Sequence, residues 1–377
     1  MKENQKKKGK KKDKYEGKVI KSSSMEFLTT YMNNIAPVGF ESSGQKIWLN
    51  YIKNYTDTQF TDHYGTAVGV INPQEKFKIV LEAHADEISW FVNHITSDGF
   101  IYVKRNGGSD HQIAPSMRVN ISGKKGNVKG IFGWPAIHTR LDSSKETNPK
   151  VETLWIDVGA RKKEEVLDLG IFIGSVVTFA DGFEKLNYQH FICRAFDNKI
   201  GGFMIAEVAR LLKENNKKLP FGLYIVNSVQ EEIGLRGAEM ISRRIKPDIA
   251  IVTDVTHDTN TPQMNKFIEG DIICGKGPSL AYAPAIHNKL LAIVEKVAEK
   301  NDIPVQFRTL SRYTGTDTDS FAYCNEGCPS MLISMPLRYM HTTVETIHER
   351  DVLQTIDLMY HTILSLSPKT NLSYFVD

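Results

Sequence analysis

Glu231 and Glu232 stand side by side at the end of the apolar run 221–229, in the stretch FGLYIVNSVQEEIGLRGAE. One of two such acids can hold a metal cation while its neighbour carries protons. Four further potential metal ligands, His84, Asp197, Asp254 and His341, fall where other apolar, strand-like runs stop. His84 is followed two residues on by Asp86, a carboxylate of the kind that orients a metal-binding imidazole. Singly, each has a plain structural role. Asp197 would cap a helix, Asp254 would sit in a turn, His341 would be a surface histidine, and the glutamates would begin a helix favoured by its dipole. Together they resist that reading, because a chance scatter of carboxylates and histidines would not track strand ends so regularly.

The elements that must position these residues read as α/β. Helical patterns cover 24–35 and 42–55, separated by a Pro/Gly break at Pro37 to Gly39, and strand-like runs follow at TAVGVIN and FKIVLEAH. Between about 91 and 187 the pattern changes to short runs divided by glycines and charges, GFIYVKR, RVNISGKKG, VKGIFGW, TLWIDVGA and GSVVTFAD, the spacing of a small β-barrel or sandwich. The α/β rhythm then returns with HFICRAF, an amphipathic helix from 203, a strand at 221–229, a helix through 238–244, a strand at 248–253, a helix at 287–300 and a strand at 330–335. The expected architecture is a mixed, largely parallel central sheet flanked by helices and interrupted by a small β-barrel. Residues 21–90 and 188–377 form the main domain and 91–187 the insertion. In open α/β sheets ligands gather outside the carboxyl ends of the strands, so residues far apart in the chain can converge there.

Composition sets the class. The chain has 377 residues, 41% hydrophobic and 24% charged, and four scattered cysteines that make no disulfide framework. Cys324 and Cys328 have no second pair to complete a structural zinc site and read as buried free thiols. No apolar run approaches the roughly 18–20 residues of a membrane span, and the N-terminus has no signal-peptide core, so a cytoplasmic protein with no membrane partner is expected. Net charge is +3, but the first fourteen residues, MKENQKKKGKKKDK, carry +6. A lysine-rich disordered tail over 1–20 is the expectation. No aromatic interleaves the lysines and no nucleic-acid fold signature follows, so nucleic acid is not the expected partner.

Five segments together resemble a known family: HADEISWFV, RAFDNKIGG, VQEEIGLRGAE, VTDVTHDT and GTDTDSFAYCNEGCPSMLISMPLRYMHTTVE. In their order and separation they are similar to the tetrahedral aminopeptidases, which include glutamyl, leucyl, lysyl and deblocking enzymes with a two-metal centre. The likeness spans nearly all of the chain after the tail. It implies that Asp197 bridges two metal ions, that His84 and Asp254 complete one site, and that Glu232 and His341 complete the other. Glu231 would be the general base and Asp86 the carboxylate that orients His84. The family also implies short peptide substrates cut at the N-terminus, and a barrel that mediates a dimer and contributes to a hollow dodecamer. Mixed imidazole and carboxylate ligands suit two zinc or cobalt ions, with manganese accommodated, whereas calcium would use oxygen alone.

Three residues depart from the family pattern. Asn198 and Lys199 follow Asp197 where many relatives carry an acid and an arginine, and Ser89 stands where glycine is common. None of them removes a ligand. The stretch GTDTDS, residues 315–320, reads as a loop near the site, with Asp317 either capping a helix or touching substrate. A related two-metal amidase or deacylase would use the same metals and base. A glycoside hydrolase would need two acids facing each other across roughly 5–10 Å and leaves His84 and His341 without roles.

Overall fold

Apolar runs too short for helices, and buried on both faces, form the spine of the fold. The computed structural model describes residues 13–140 and 148–375. In chain order its first strands are β1 (Thr58–Thr61), β2 (Ala67–Ile71) and β3 (Lys78–His84). Next come β4 (Ser89–Ile95), β5 (Ile101–Asn106), β6 (Arg118–Gly123), β7 (Gly126–Phe132), β8 (Trp155–Asp157) and β9 (Val176–Phe179). After β10 (Glu184–Lys185) and β11 (His190–Cys193) follow β12 (Gly222–Ser228), β13 (Ile249–His257), β14 (Ser279–Tyr282), β15 (Gln306–Thr309), β16 (Ser330–Leu337) and β17 (Glu345–His348). The helices are α1 (Ser22–Asn33), α2 (Ser42–Ile52), α3 (Lys163–Asp168), α4 (Phe196–Glu214), α5 (Arg236–Ile245), α6 (Lys266–Glu269), α7 (Asn288–Lys300), α8 (Thr318–Ala322) and α9 (Glu349–Ser365).

Eight strands make the central sheet, in the order β1-β2-β12-β3-β13-β16-β14-β15. Its middle, β12-β3-β13-β16, is parallel throughout, and antiparallel pairs lie toward the edges. Parallel strands need cover on both faces. Helix α4 packs on β3, β12 and β13, supported by α1, α2 and α9, while α8 packs on β13 and β16 and α5 on β12. The large buried side chains Trp48, Tyr31, Phe203 and Phe221 belong to this core.

The insertion closes on itself. The strands run β4-β5-β8-β7-β6-β9 around a barrel, all antiparallel, with a core of its own built on Trp90, Val92, Ile121, Phe132, Ile156 and Val177. Alternation explains it: in β6, Val119 and Ile121 point inward while Arg118 stays exposed. The barrel strands occupy 89–179, so residues 180–187 of the expected insertion lie past the last of them.

Four expectations need adjusting. The disordered tail expected over 1–20 is wrong for its last residues, whereas 1–12 lie outside the described residues. Tyr15 is buried with its hydroxyl 2.9 Å from Asp357, and the Ile20 amide donates to Glu349 at 2.8 Å, because these side chains bring apolar surface that a lysine run lacks. Asp254 does not end its strand, since β13 keeps pairing with β16 as far as His257. Asp197 follows β11, which belongs to a separate sheet, β10-β11-β17, and not to the central one. Helix α9, whose buried face includes Val352, Ile356, Met359 and Ile363, was not anticipated although its apolar spacing is helical.

Candidate metal centre

Register fixes the meeting point. In β3 and β12 His84 pairs with Ser228, and β13 runs parallel to β3, so His84, Asp254 and the turn after β12 share one edge of the sheet. Past β12 the chain enters the left-handed region at Gln230 (φ 58°), makes a single 3₁₀ turn at Glu231–Ile233, and is left-handed again at Leu235. Successive side chains on such a turn point about 120° apart. The two glutamates therefore separate: Glu231 joins His84 and Asp254, and Glu232 joins Asp197 and His341.

Asp197 ties the two groups together. Its Oδ1 lies 3.2 Å from His84 Nε2 and its Oδ2 3.2 Å from His341 Nε2. His341 Nε2 is also 3.2 Å from Glu232 Oε1, and His84 Nε2 is 3.8 Å from Asp254 and 3.9 Å from Glu231. Within each group the donor atoms lie within 4.8 Å of one another.

Second-layer carboxylates hold the backbone that carries these donors. Asp86 stands 3.4 Å from His84 Nδ1 and accepts the amides of Glu231 at 3.0 Å and Glu232 at 3.1 Å, so one side chain faces the imidazole while it fixes the glutamate turn. Glu345 does the same on the opposite side, accepting the Asp197 amide at 3.0 Å and the His341 amide at 2.8 Å. In the sequence Glu345 ends the segment MHTTVE, and its only signal is an acid leading into a strand. Glu82 and Asp317 share the Ser228 hydroxyl at 2.6 Å beneath the centre. Asp317 thus makes no cap bond and does not line the cavity, whereas Gly315, Thr316, Asp319 and Ser320 of its loop do.

The departures from the family pattern do not touch the donors. Asn198 donates to Thr253 O at 2.8 Å, Lys199 is buried against the Met32 and Asn34 carbonyls, and the Ser89 hydroxyl accepts from Asn106 at 2.9 Å.

Electrostatics match the donor chemistry. Burial, with Asp254, Asp317 and Glu232 adding negative charge against the pull of His84, pushes the Glu231 carboxyl up to about 10. Burial likewise raises Asp254 and Glu232. Asp197 is held low, because its bonds from His341 and His84 overcome its burial. Burial opposes charging of His341, yet Asp197 and Glu232 carry its pKa up to about 11. Two buried and two half-buried carboxylates facing two imidazoles make a site short of positive charge, and two groups of mixed nitrogen and oxygen donors fit a pair of divalent cations.

A profile of the M42 glutamyl aminopeptidase family matches residues 65–358. The chain belongs to that family. As an M42 protein it is a peptide-bond hydrolase of a metal-dependent family. It is similar to the lysyl aminopeptidase of Pyrococcus furiosus, 33% identical over 88% of this chain and 94% of that protein. Among solved structures it is similar to the TET aminopeptidase of Thaumarchaeota archaeon SCGC AB-539-E09, with TM-score 0.88 and 28% identity over 92% of this chain and 97% of the other. The Pyrococcus horikoshii TET1 peptidase, which can assemble into a tetrahedron or a large octahedral shell, matches with TM-score 0.80 and 26% identity over 90% and 98% of the two chains. Among the described residues no helix is long and apolar enough to cross a membrane.

Proposed function

We propose that this M42 aminopeptidase removes the N-terminal residue of short peptides with two divalent ions, zinc or cobalt. His84 and Asp254 would hold one ion and Glu232 and His341 the other, with Asp197 standing between the two groups. The observation that carries this reading is the Asp197 carboxylate, each oxygen of which faces an imidazole of a different group at 3.2 Å. When bound, such a pair polarises the substrate carbonyl and lowers the pKa of a water. Glu231 takes the proton of the attacking water and gives it to the departing amine. Asp86 and Glu345 keep the donors in place through their backbone amides.

The chain works as a homo-oligomer, a dimer through the barrel at least, with a tetrahedral dodecamer as the fuller assembly. Four free buried cysteines suit a reducing compartment, and we place it in the cytoplasm. Because the family description and the named relative differ between glutamyl and lysyl, neither residue preference is carried over.

The test is a panel of aminoacyl-anilides, short peptides and N-acylated amino acids, assayed after chelation and after return of zinc or cobalt, with Glu231→Gln alongside. Cleavage of free N-termini that is lost on chelation, restored by metal and lowered by about 10²–10⁴ in Glu231→Gln is expected. Cleavage of the N-acylated compounds alone would turn the assignment to a deacylase, and full turnover in Glu231→Gln would remove the proposed base.

A further inference from the structure

None of the six donors lies on a barrel strand, yet the barrel reaches them. Strand β5 ends at Asn106, and the two residues after it, Gly107 and Gly108, come against the Glu232 and His341 side chains. A Cβ at Gly108 would stand 2.8 Å from His341 Nδ1 and 2.9 Å from its Cε1, well inside the contact distance of about 3.5–4.0 Å between packed atoms. Gly107 is left-handed at φ 80°, and a Cβ there would meet Glu232 Cβ at 3.3 Å. Two successive backbone units of one loop thus each face one donor of the same group.

This lip is tied down on both sides. Asn106, buried just before it, donates to the Val38 carbonyl at 2.9 Å and to the Ser89 hydroxyl at 2.9 Å. Ser109, buried just after it, donates to the Ser89 carbonyl at 2.6 Å. Val38 in turn gives its amide to the Glu87 carbonyl at 3.1 Å. The lip is therefore fixed to the segment that leaves β3 past Asp86, and Ser89, which stands where glycine is common, offers its hydroxyl to one anchor and its carbonyl to the other. Buried polar groups paired in this way rigidify the backbone they hold. His341 needs such a stop. Glu345 accepts its amide at 2.8 Å, with the residue left-handed at φ 63°, but a backbone bond leaves the χ1 and χ2 rotations of the ring open. The Nδ1–Cε1 edge of the ring meets Gly108 while Nε2 points to Asp197 and Glu232, each at 3.2 Å.

Resting on the two-metal reading, we infer that the Gly107–Gly108 lip of the barrel is a positioning element of the second metal site: it sets the angle of the His341 imidazole toward Asp197 and Glu232, and the Ser89 hydroxyl holds the lip in place. The insertion thereby completes a site to which it lends no ligand, and only a residue without a Cβ leaves room for the ring at that angle. An imidazole turned out of line no longer directs its lone pair at the ion, so the ion on the Glu232 side is the one weakened.

The experiment titrates the full-length apoprotein with cobalt(II), followed by calorimetry and by the visible d–d absorption that reports how each ion is coordinated. Two ions per chain are expected in the wild type. Gly108→Ala should weaken one of them by about 10–100-fold, the scale of lost support to a ligand, and change the absorption of that ion alone. Ser89→Gly, which removes one hydroxyl and leaves the lip backbone, should weaken the same ion less. In a His341→Ala background Gly108→Ala should add nothing, because the ring it displaces is gone. Thermal unfolding of each apoprotein checks that the fold persists, and if Gly108→Ala does not fold, Ser89→Gly decides by the same comparison. Wild-type affinity for both ions in the variants overturns the inference, as does equal weakening of both ions or an undiminished Gly108→Ala effect without His341. Each of these outcomes leaves the two-metal reading standing. Fewer than two ions per wild-type chain overturns that reading itself, and the inference with it.

Discussion

At the scale of single residues, the two glutamates are divided by geometry and not by their own chemistry. They are the same residue type, one position apart, and a 3₁₀ turn sends them to different groups. That division depends on Asp86, which accepts both of their amides while facing His84. Asp86→Ala should therefore weaken metal binding by about 10–100-fold, the usual effect of losing a ligand's supporting carboxylate. It should also lower kcat at saturating metal, because the Glu231 carboxylate loses its anchor. Metal titration followed by kinetics at saturation separates the two effects. Wild-type kcat once metal is restored would mean that the turn holds without Asp86. The sequence made Asp86 visible through its spacing from His84, but not its grip on residues 231 and 232, which lie about 145 positions away and come near only when β3 and β12 pair.

At the scale of elements, the runs 78–84, 221–229, 248–253 and 330–335 were legible because strands buried on both faces are continuously apolar. The barrel was legible from its alternation and glycines. Short strands such as β14 and β15 were not, since four residues carry too little pattern, and their place in the sheet comes from non-local pairing. Glu345 and Glu82 stayed hidden for a related reason: polar residues inside strands look like surface until the sheet buries them.

Helix α9 carries a testable case of such burial. Asp351, in its first turn, accepts the amides of Gly275 at 2.6 Å and Gly277 at 2.8 Å, and burial pushes its carboxyl up to about 7 from an ordinary 3.8 despite those bonds. A carboxyl raised on folding stabilises the folded state fully below its unfolded value and loses that contribution as pH rises through the folded one. Asp351→Asn cannot titrate. The stability advantage of the wild type over it should accordingly shrink between pH 4 and pH 8, by on the order of 2–4 kcal/mol. Urea unfolding at both pH values, with metal saturating, reads the difference. An advantage that grows with pH would contradict the raised carboxyl.

At the scale of the whole molecule, the five proposed ligands and the base all come from one chain. Assembly must therefore be tested apart from catalysis, and the barrel offers the surface on which to do it. Its outer face exposes Ile131 on β7, 48% accessible, within a groove bordered by Arg118, Lys129 and Asp157. An aliphatic side chain ringed by charges of both signs is what a self-complementary contact can bury, its apolar part shielded and its rim charges paired across a two-fold axis. Ile131→Asp places an unpaired carboxylate in that contact, and a desolvated lone charge disfavours association strongly. Light scattering should give the wild type a mass of two chains or more and the variant a smaller one. Turnover of an anilide per subunit should be nearly the same in both, because Ile131 lies on the outer face of the barrel and none of the donors belongs to the barrel. A wild type that is monomeric at micromolar concentration would remove the proposed assembly. An Ile131→Asp protein with unchanged mass would place the contact elsewhere on the surface, and equal loss of mass and turnover would show that the single-chain site needs its neighbours after all.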